Sequence, residues 1–440
     1  MTQGPVEAAG QLTGEAAEAR GRRWVIDVRP LRGAAYRRMW LGNGVSYFGF
    51  QFTAVAVPVE MFAITRSSAW VGLLGIAALV PLLIFGLWGG AAADVVDRRK
   101  LLLAGSTLAW LSTGGLLAQA LLGLHSPVVL LALTAVQSAG FAVSSPARQA
   151  IIPRIVPAGL VPAANTLNYT TTTAGGVLGP LAAGVILGLW STDAGVTIAY
   201  AIDALLFTIT LWATWRLPPI PPVHDDGVTA KPTAGLRGIV GGLRFLVTQP
   251  VLLLSFAVDL VAMVFAMPRA LFPEIAEDRF GGGSAVGWLF AAIAIGSVLG
   301  GLTSGWIGRV RRQGVALVLA VVGWGVAVGL AGLAHSLWLM VLLLAVGGAA
   351  DLVSAVYRQS ILQTFAPDRL RGRLQGVFTV VVAGGPRLGD LRAGATADLT
   401  GPTASWAGGG FAAAGLAVVL ALAFPALLRY RPPADPEATR

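Results

Sequence analysis

Five acidic residues stand inside long apolar stretches of this 440-residue chain: Glu60, Asp203, Asp259, Asp351 and Asp390. At bilayer depth a charged side chain costs several kcal/mol unless it is paired or hydrated, so each is a functional candidate. A carboxylate partly shielded from water can load and release a proton. Glu60, Asp203, Asp259 and Asp351 are therefore the proton-coupling candidates. Each also has a plainer reading. Glu60, close to the end of its apolar run, suits a hydrated rim. Asp203 could bond a neighbouring helix, and Asp351, in the small-residue run Gly347-Gly-Ala-Ala-Asp351, could line a cavity. Asp390 has Arg387 and Arg392 beside it, which predicts an internal ion pair holding a broken helix. Other chemistry is missing. There is no cysteine, and His125, His224 and His335 are too widely spaced for a metal cluster. No Gly-x-x-x-x-Gly-Lys-[Ser/Thr] loop is present. No metal, cofactor or catalytic constellation is expected.

The elements that must position these acids follow from composition. The chain is 55% hydrophobic and 12% charged, with mean hydropathy +0.74, where soluble domains carry about twice that charge. A soluble enzyme, a disordered chain and a nucleic-acid-binding domain fit poorly. The 57 glycines and 25 prolines lie largely within apolar runs, as is common in membrane helices. A spanning helix needs about 20 apolar residues. Runs of that kind fall near 39–63, 69–94, 99–123, 128–152, 162–189, 194–217, 250–273, 284–307, 313–333, 337–357, 373–396 and 402–429. The expected fold is an all-α, polytopic membrane protein with twelve transmembrane helices in two six-helix bundles.

Residues 1–36 form a polar N-terminal tail without a signal-peptide pattern, and 37–217 hold the first bundle. Residues 218–249 read as a linker. It opens on four prolines, and Leu236, Ile239, Val240, Leu243 and Val247 predict an amphipathic helix. The second bundle covers 250–430, and 431–440 form a tail. Basic residues collect at one end of the spans, including Arg98, Arg99, Lys100, Arg154, Arg309, Arg311, Arg312 and Arg429. Only Arg66, Arg269, Arg279, Arg387 and Arg392 fall elsewhere. The net charge of +10 is thus topological. By the positive-inside rule both termini are expected in the cytoplasm, and the protein in the plasma membrane, as a monomer.

The halves repeat. Residues 148–160 read RQAIIPRIVPAGL and 358–370 read RQSILQTFAPDRL, each closing the fourth span of its half. Two like-oriented bundles facing one another predict a midplane site and rocking of one bundle against the other. Polar groups that could line it include Asn43, Ser46, Tyr47, Gln51, Asn165, Asn168, Tyr169 and Thr170–Thr173, with Trp288, Phe290 and Phe378. Gln51, Tyr169 and Asp351 are the candidate substrate contacts.

The loop Gly89-Gly90-Ala-Ala-Ala-Asp94-Val-Val-Asp97-Arg98-Arg99-Lys100 resembles the signature Gly-x-x-x-Asp-x-x-Gly-Arg-Arg of the major facilitator superfamily, with Asp97 where glycine is usual. The resemblance implies a conformational latch made by Gly90, Asp94, Arg98 and Arg99. Span five carries Gly175-Gly176-Val-Leu-Gly179-Pro180-Leu-Ala-Ala-Gly184, similar to the superfamily's antiporter motif, with Gly175, Gly179, Pro180 and Gly184 as its small-residue face. The stretches 54–60, 269–276, 291–305 and 367–373 resemble the branch of siderophore (enterobactin) exporters, which also includes macrolide and multidrug efflux proteins. The span-four arginine of many proton-linked exporters is absent; Thr134-Ala-Val-Gln137-Ser-Ala-Gly140 stands there. The implied function is proton-antiport export of a small organic molecule, siderophore-like or drug-like. A solute importer and a non-transporting membrane sensor are the rival readings. The partners expected are a small-molecule substrate, protons and the lipid bilayer, and no nucleic acid.

Overall fold

The computed structural model describes residues 27–221, 241, 244–366 and 371–431, without the side chains of 87, 89–91, 93–95 and 371–373. Most of the predicted amphipathic linker helix, and Gly90 and Asp94 of the latch with respect to their side chains, lie outside what is described. The first half contains α1 (Ala34–Thr65), α2 (Ser68–Val95), α3 (Arg98–Leu121), α4 (Pro127–Ile155), α5 (Val161–Leu189) and α6 (Thr192–Trp215). The second contains α7 (Pro250–Ala266) and α8 (Phe272–Phe280), joined by a 3-10 turn at Arg269–Leu271. It continues through α9 (Ser284–Leu302), α10 (Gln313–Leu333), α11 (Leu337–Phe365), α12 (Arg371–Thr400) and α13 (Pro402–Ala423).

This is an all-α membrane fold of twelve spans in two six-span bundles, the seventh span divided into α7 and α8. Among the described residues, eleven segments are long and apolar enough to cross a bilayer. The remaining span, α12, is 30 residues long but carries Arg387, Asp390 and Arg392. Short connectors make sequential helices antiparallel, and polar caps set where they begin. Ser67, Asp97, Ser126 and Ser191 each accept a backbone N–H at the start of α2, α3, α4 and α6.

Within the first half α1 packs on α5 and α6, α2 on α4, and α3 on α4 and α6. Within the second, α7 packs on α12 and α13, α9 on α11, and α10 on α11 and α13. The halves meet along two seams, α2 against α12 and α5 against α9. Both seams are tight only at the end opposite the basic loops, here called the far end. A methyl added at Gly184 would lie 2.7 Å from the Gly287 Cα, and one at Gly72 would lie 2.6 Å from the Asp390 carbonyl. Small residues are what let backbones touch in lipid. Polar ties cross the same end: Arg66 pairs with Glu277, Ser68 donates to Glu274, and Ser67 donates to Asp398 at 2.5 Å.

Toward the basic end the seams part. A methyl on Gly75 would meet the Arg387 carbonyl at 2.8 Å, and one on Gly384 would meet Leu79 only at 3.7 Å. Eleven residues are about three helical turns, so Gly86 and Gly376 share the faces of Gly75 and Arg387. Among the described residues, a methyl on either meets nothing within 4 Å. Tyr169, three turns before the seam residue Pro180, is 67% exposed. Among the described residues the halves are therefore in contact at the far end and parted at the basic end.

The seam gives a direct test. A Cβ built on Gly188 lies 3.5 Å from the Ser284 Cβ, within disulfide range, and the chain has no cysteine of its own. The Gly188→Cys/Ser284→Cys variant should cross-link under mild oxidation, read as a band shift between reduced and oxidised gels. No cross-link would contradict the closed far end.

Candidate transport site

Span seven breaks because Pro268 has no N–H and its ring crowds the carbonyl four residues back, at Val264. The freed groups are taken up by α12. Arg392 donates to the carbonyls of Val264 (3.3 Å) and Phe265, and also to Ser405 of α13 (3.1 Å). Asp390 accepts the Ala270 N–H at 3.3 Å. The ion pair expected within span eleven does not form, and α12 is unbroken. Residues two apart on a helix do not face each other, so Asp390 and Arg392 turn to the broken neighbour instead.

Beside this break lies a central cavity of about 440 Å³ with walls from both halves. Tyr47, Phe50 and Gln51 come from α1, Gly176 and Pro180 from α5, Arg269 from the turn, Phe290 from α9, and Arg387 and Asp390 from α12. The candidate contact Gln51 lines it. Tyr169 stands at the basic mouth rather than in this cavity. Asp351 is outside the lining too, its carboxylate 3.6 Å from the Arg358 guanidinium.

The four proton candidates divide between the halves. Arg358 of α11 pairs with Asp259 of α7, both almost fully buried, and also approaches Asp351. The repeat places Arg148 at the equivalent position, where it donates to Asn43 at 2.5 Å. In the first half, Glu60 is buried rather than on a hydrated rim. Gln119 and Tyr200 donate to its two oxygens, each at 2.6 Å. Asp203, fully buried, accepts from Thr53 at 2.5 Å and Thr113 at 3.4 Å, and Gln137 donates to Thr113 at 3.1 Å. Glu60 and Asp203 thus belong to one polar file along α1, α3 and α6 with no cation in hydrogen-bond contact. A pocket of about 270 Å³, lined by Glu60, His125, Asp193 and Thr197, adjoins the file at the far end.

The two motifs have definite places. Gly175 and Gly179 receive Tyr47 and Gln51 of α1, while Pro180 and Gly184 touch Gly287 of α9. The antiporter-type segment therefore packs α5 on its own half and on the other half at once. Asp97, in the usual glycine's place, caps α3 and accepts the Ile220 N–H at 3.4 Å. Arg99 donates to the Trp215 carbonyl. Among the described residues, Arg98 and Arg99 form no ion pair across the halves. Sequence reasoning passed over Arg269 and Arg387 as site residues; the signal was Pro268, which breaks a span just before an arginine.

Two bundles enclosing a midplane cavity, with a broken helix at its wall, define a membrane transporter. The model of the transmembrane secretion effector family matches residues 26–437, and the chain belongs to that family. It is 29% identical over 414 residues to the enterobactin exporter EntS of Shigella boydii serotype 18, covering 93% of this chain and 96% of the relative. The same figures hold for EntS of Escherichia coli O81. Among solved structures, the nucleoside transporter NupG matches with a TM-score of 0.70 at 17% identity, over 90% of this chain and 100% of that one. A bacterial homologue of the iron transporter ferroportin matches at 0.68 and 13% identity, over 90% and 99%. These structural likenesses establish the fold alone.

Removing one member of a buried ion pair costs about 3–5 kcal/mol because a charge is left without its partner, whereas replacing both by apolar groups is often neutral. Arg358→Met should accordingly lower the melting temperature in detergent more than Arg358→Met combined with Asp259→Leu. A double variant at least as unstable as the single one would contradict the pairing.

Proposed function

We propose that the protein exports a small organic molecule, siderophore-like or drug-like, across the cytoplasmic membrane by alternating access driven by proton antiport. One observation carries the reading. The halves touch at the far end while the central cavity opens at the basic end, which the positive-inside rule assigns to the cytoplasm. In this state the solute loads from the cytoplasm, and rocking the halves about the cavity opens the far end. The likeness to enterobactin exporters supports export and a siderophore-sized cargo. The Arg99 guanidinium, engaged with the Trp215 carbonyl of its own half, fits a latch of Gly90, Asp94, Arg98 and Arg99 that is undone while the basic end is open. Both halves of one chain line the cavity, which is compatible with a monomer.

Antiport needs a group that changes protonation during the cycle. Asp259 and Asp351 share Arg358 as a counter-ion, which suits a fixed charge network. Glu60 and Asp203 have only neutral donors, and the far-end pocket beside Glu60 offers protons a route separate from the solute's. These two acids are the coupling residues in our reading.

The test has two arms. Spent medium from a deletion strain, profiled without targeting, should lack a compound that the cells retain; retention of a siderophore favours the siderophore cargo, and a narrow rise in drug susceptibility favours the drug-like cargo. In proteoliposomes, Glu60→Gln or Asp203→Asn should abolish pH-gradient-driven transport while solute exchange persists. Normal gradient-driven transport by the amide variants of Glu60, Asp203, Asp259 and Asp351 alike would overturn the coupling scheme.

A further inference from the structure

We infer that the central cavity selects solutes bearing an anionic oxygen group on an aromatic body, and that Arg269 and Arg387 hold that group. The inference rests on the transport reading above and adds the charge and shape of the cargo.

Two guanidiniums and a single carboxylate, Asp390, line this cavity, which leaves an excess of positive charge at mid-depth. Among the described residues Arg269 makes no hydrogen bond or ion pair, and Arg387 donates only to the Ala383 carbonyl of its own helix, at 2.7 Å. Asp390 forms no ion pair with either; its bond goes to the Ala270 N–H. Of the other described acids of this half, only Asp351 also senses Arg269. Asp259 pairs with Arg358, Asp351 lies 3.6 Å from Arg358 and also within the field of Arg269, Glu274, Glu277 and Asp398 tie the far end, and Asp278 is exposed there. Cations kept unpaired at bilayer depth face water or a substrate path. Here they face a cavity whose other lining residues include Tyr47, Phe50 and Phe290.

A guanidinium binds a carboxylate through two parallel N–H donors. Opposite stand Tyr47 and Phe50 of the first half and Phe290 of α9, suited to an aromatic ring. A cargo of this shape would touch both halves together. Its charged end would sit against α12 where the Arg387 backbone meets Gly75, so occupancy and the α2–α12 seam are mechanically adjacent.

The test uses the matched probes 1-naphthoate and 1-naphthamide, titrated calorimetrically into the full-length protein in lipid nanodiscs. The wild type should bind the naphthoate about tenfold more tightly than the amide, as one charge-assisted contact implies. Arg269→Gln and Arg387→Gln should each shrink that preference, with amide affinity unchanged, and Arg269→Lys should restore part of it. Equal affinities in the wild type, binding of neither probe, or a preference that survives in both glutamine variants would overturn the inference. Export from cells is scored separately. A protein that exports its cargo yet shows no naphthoate preference loses this inference and keeps the transport reading, whereas failure to export removes that reading whatever the calorimetry gives.

Discussion

In lipid the tails are as apolar as leucine, so two helical bundles cannot be held together by hydrophobic burial and must rely on close packing and polar ties. This protein places such packing at one end only. Glycines at 72, 75, 184, 188 and 287 bring the backbones of α2 and α12, and of α5 and α9, into contact, and Arg66–Glu277 closes the rim. Exposed ion pairs contribute little by themselves, so the glycine seams set the contact and the rim pair orients it. Everything else about the open basic end follows from the seams parting over about three turns.

The two halves share ancestry in sequence and differ in electrostatics. The repeated arginine meets an amide in the first half, at Asn43, and a carboxylate in the second, at Asp259. Buried charge is therefore compensated in the second half by Arg358, while the carboxylates of the first half, Glu60 and Asp203, rest on hydroxyls and an amide. The second half also supplies the cavity's cations. In the proposed scheme, proton handling and cargo charge fall to different bundles, with the seams between them.

Much of this was legible in the residues. Hydropathy placed the twelve spans because a bilayer leaves helices few alternatives, and the Arg148/Arg358 register revealed the duplication. The break in span seven was hidden because an apolar window runs smoothly across Pro268. The roles of Asp390 and Arg392 were misjudged for a related reason. Neighbours in sequence suggested a local ion pair, whereas the groups that need them are backbone atoms of α7 and its turn. Glu60 looked like a rim residue because span one was expected to stop near 63; α1 runs to Thr65, and Tyr200 and Gln119 enclose the carboxylate. Tyr169 depends on conformation as much as on sequence, since its surroundings change with the gap at the basic mouth.

The central claim is that closure at one end and opening at the other are exchanged as a unit. Spin labels in this cysteine-free chain report it most directly, with one pair at Leu124→Cys and His335→Cys on the far end and another at Lys100→Cys and Arg311→Cys on the basic end. Pulsed electron-spin distances in nanodiscs, compared between acidic and alkaline buffer, should show the far-end separation lengthening as the basic-end separation shortens. Distances that stay fixed at both ends, or that widen together, would contradict the account.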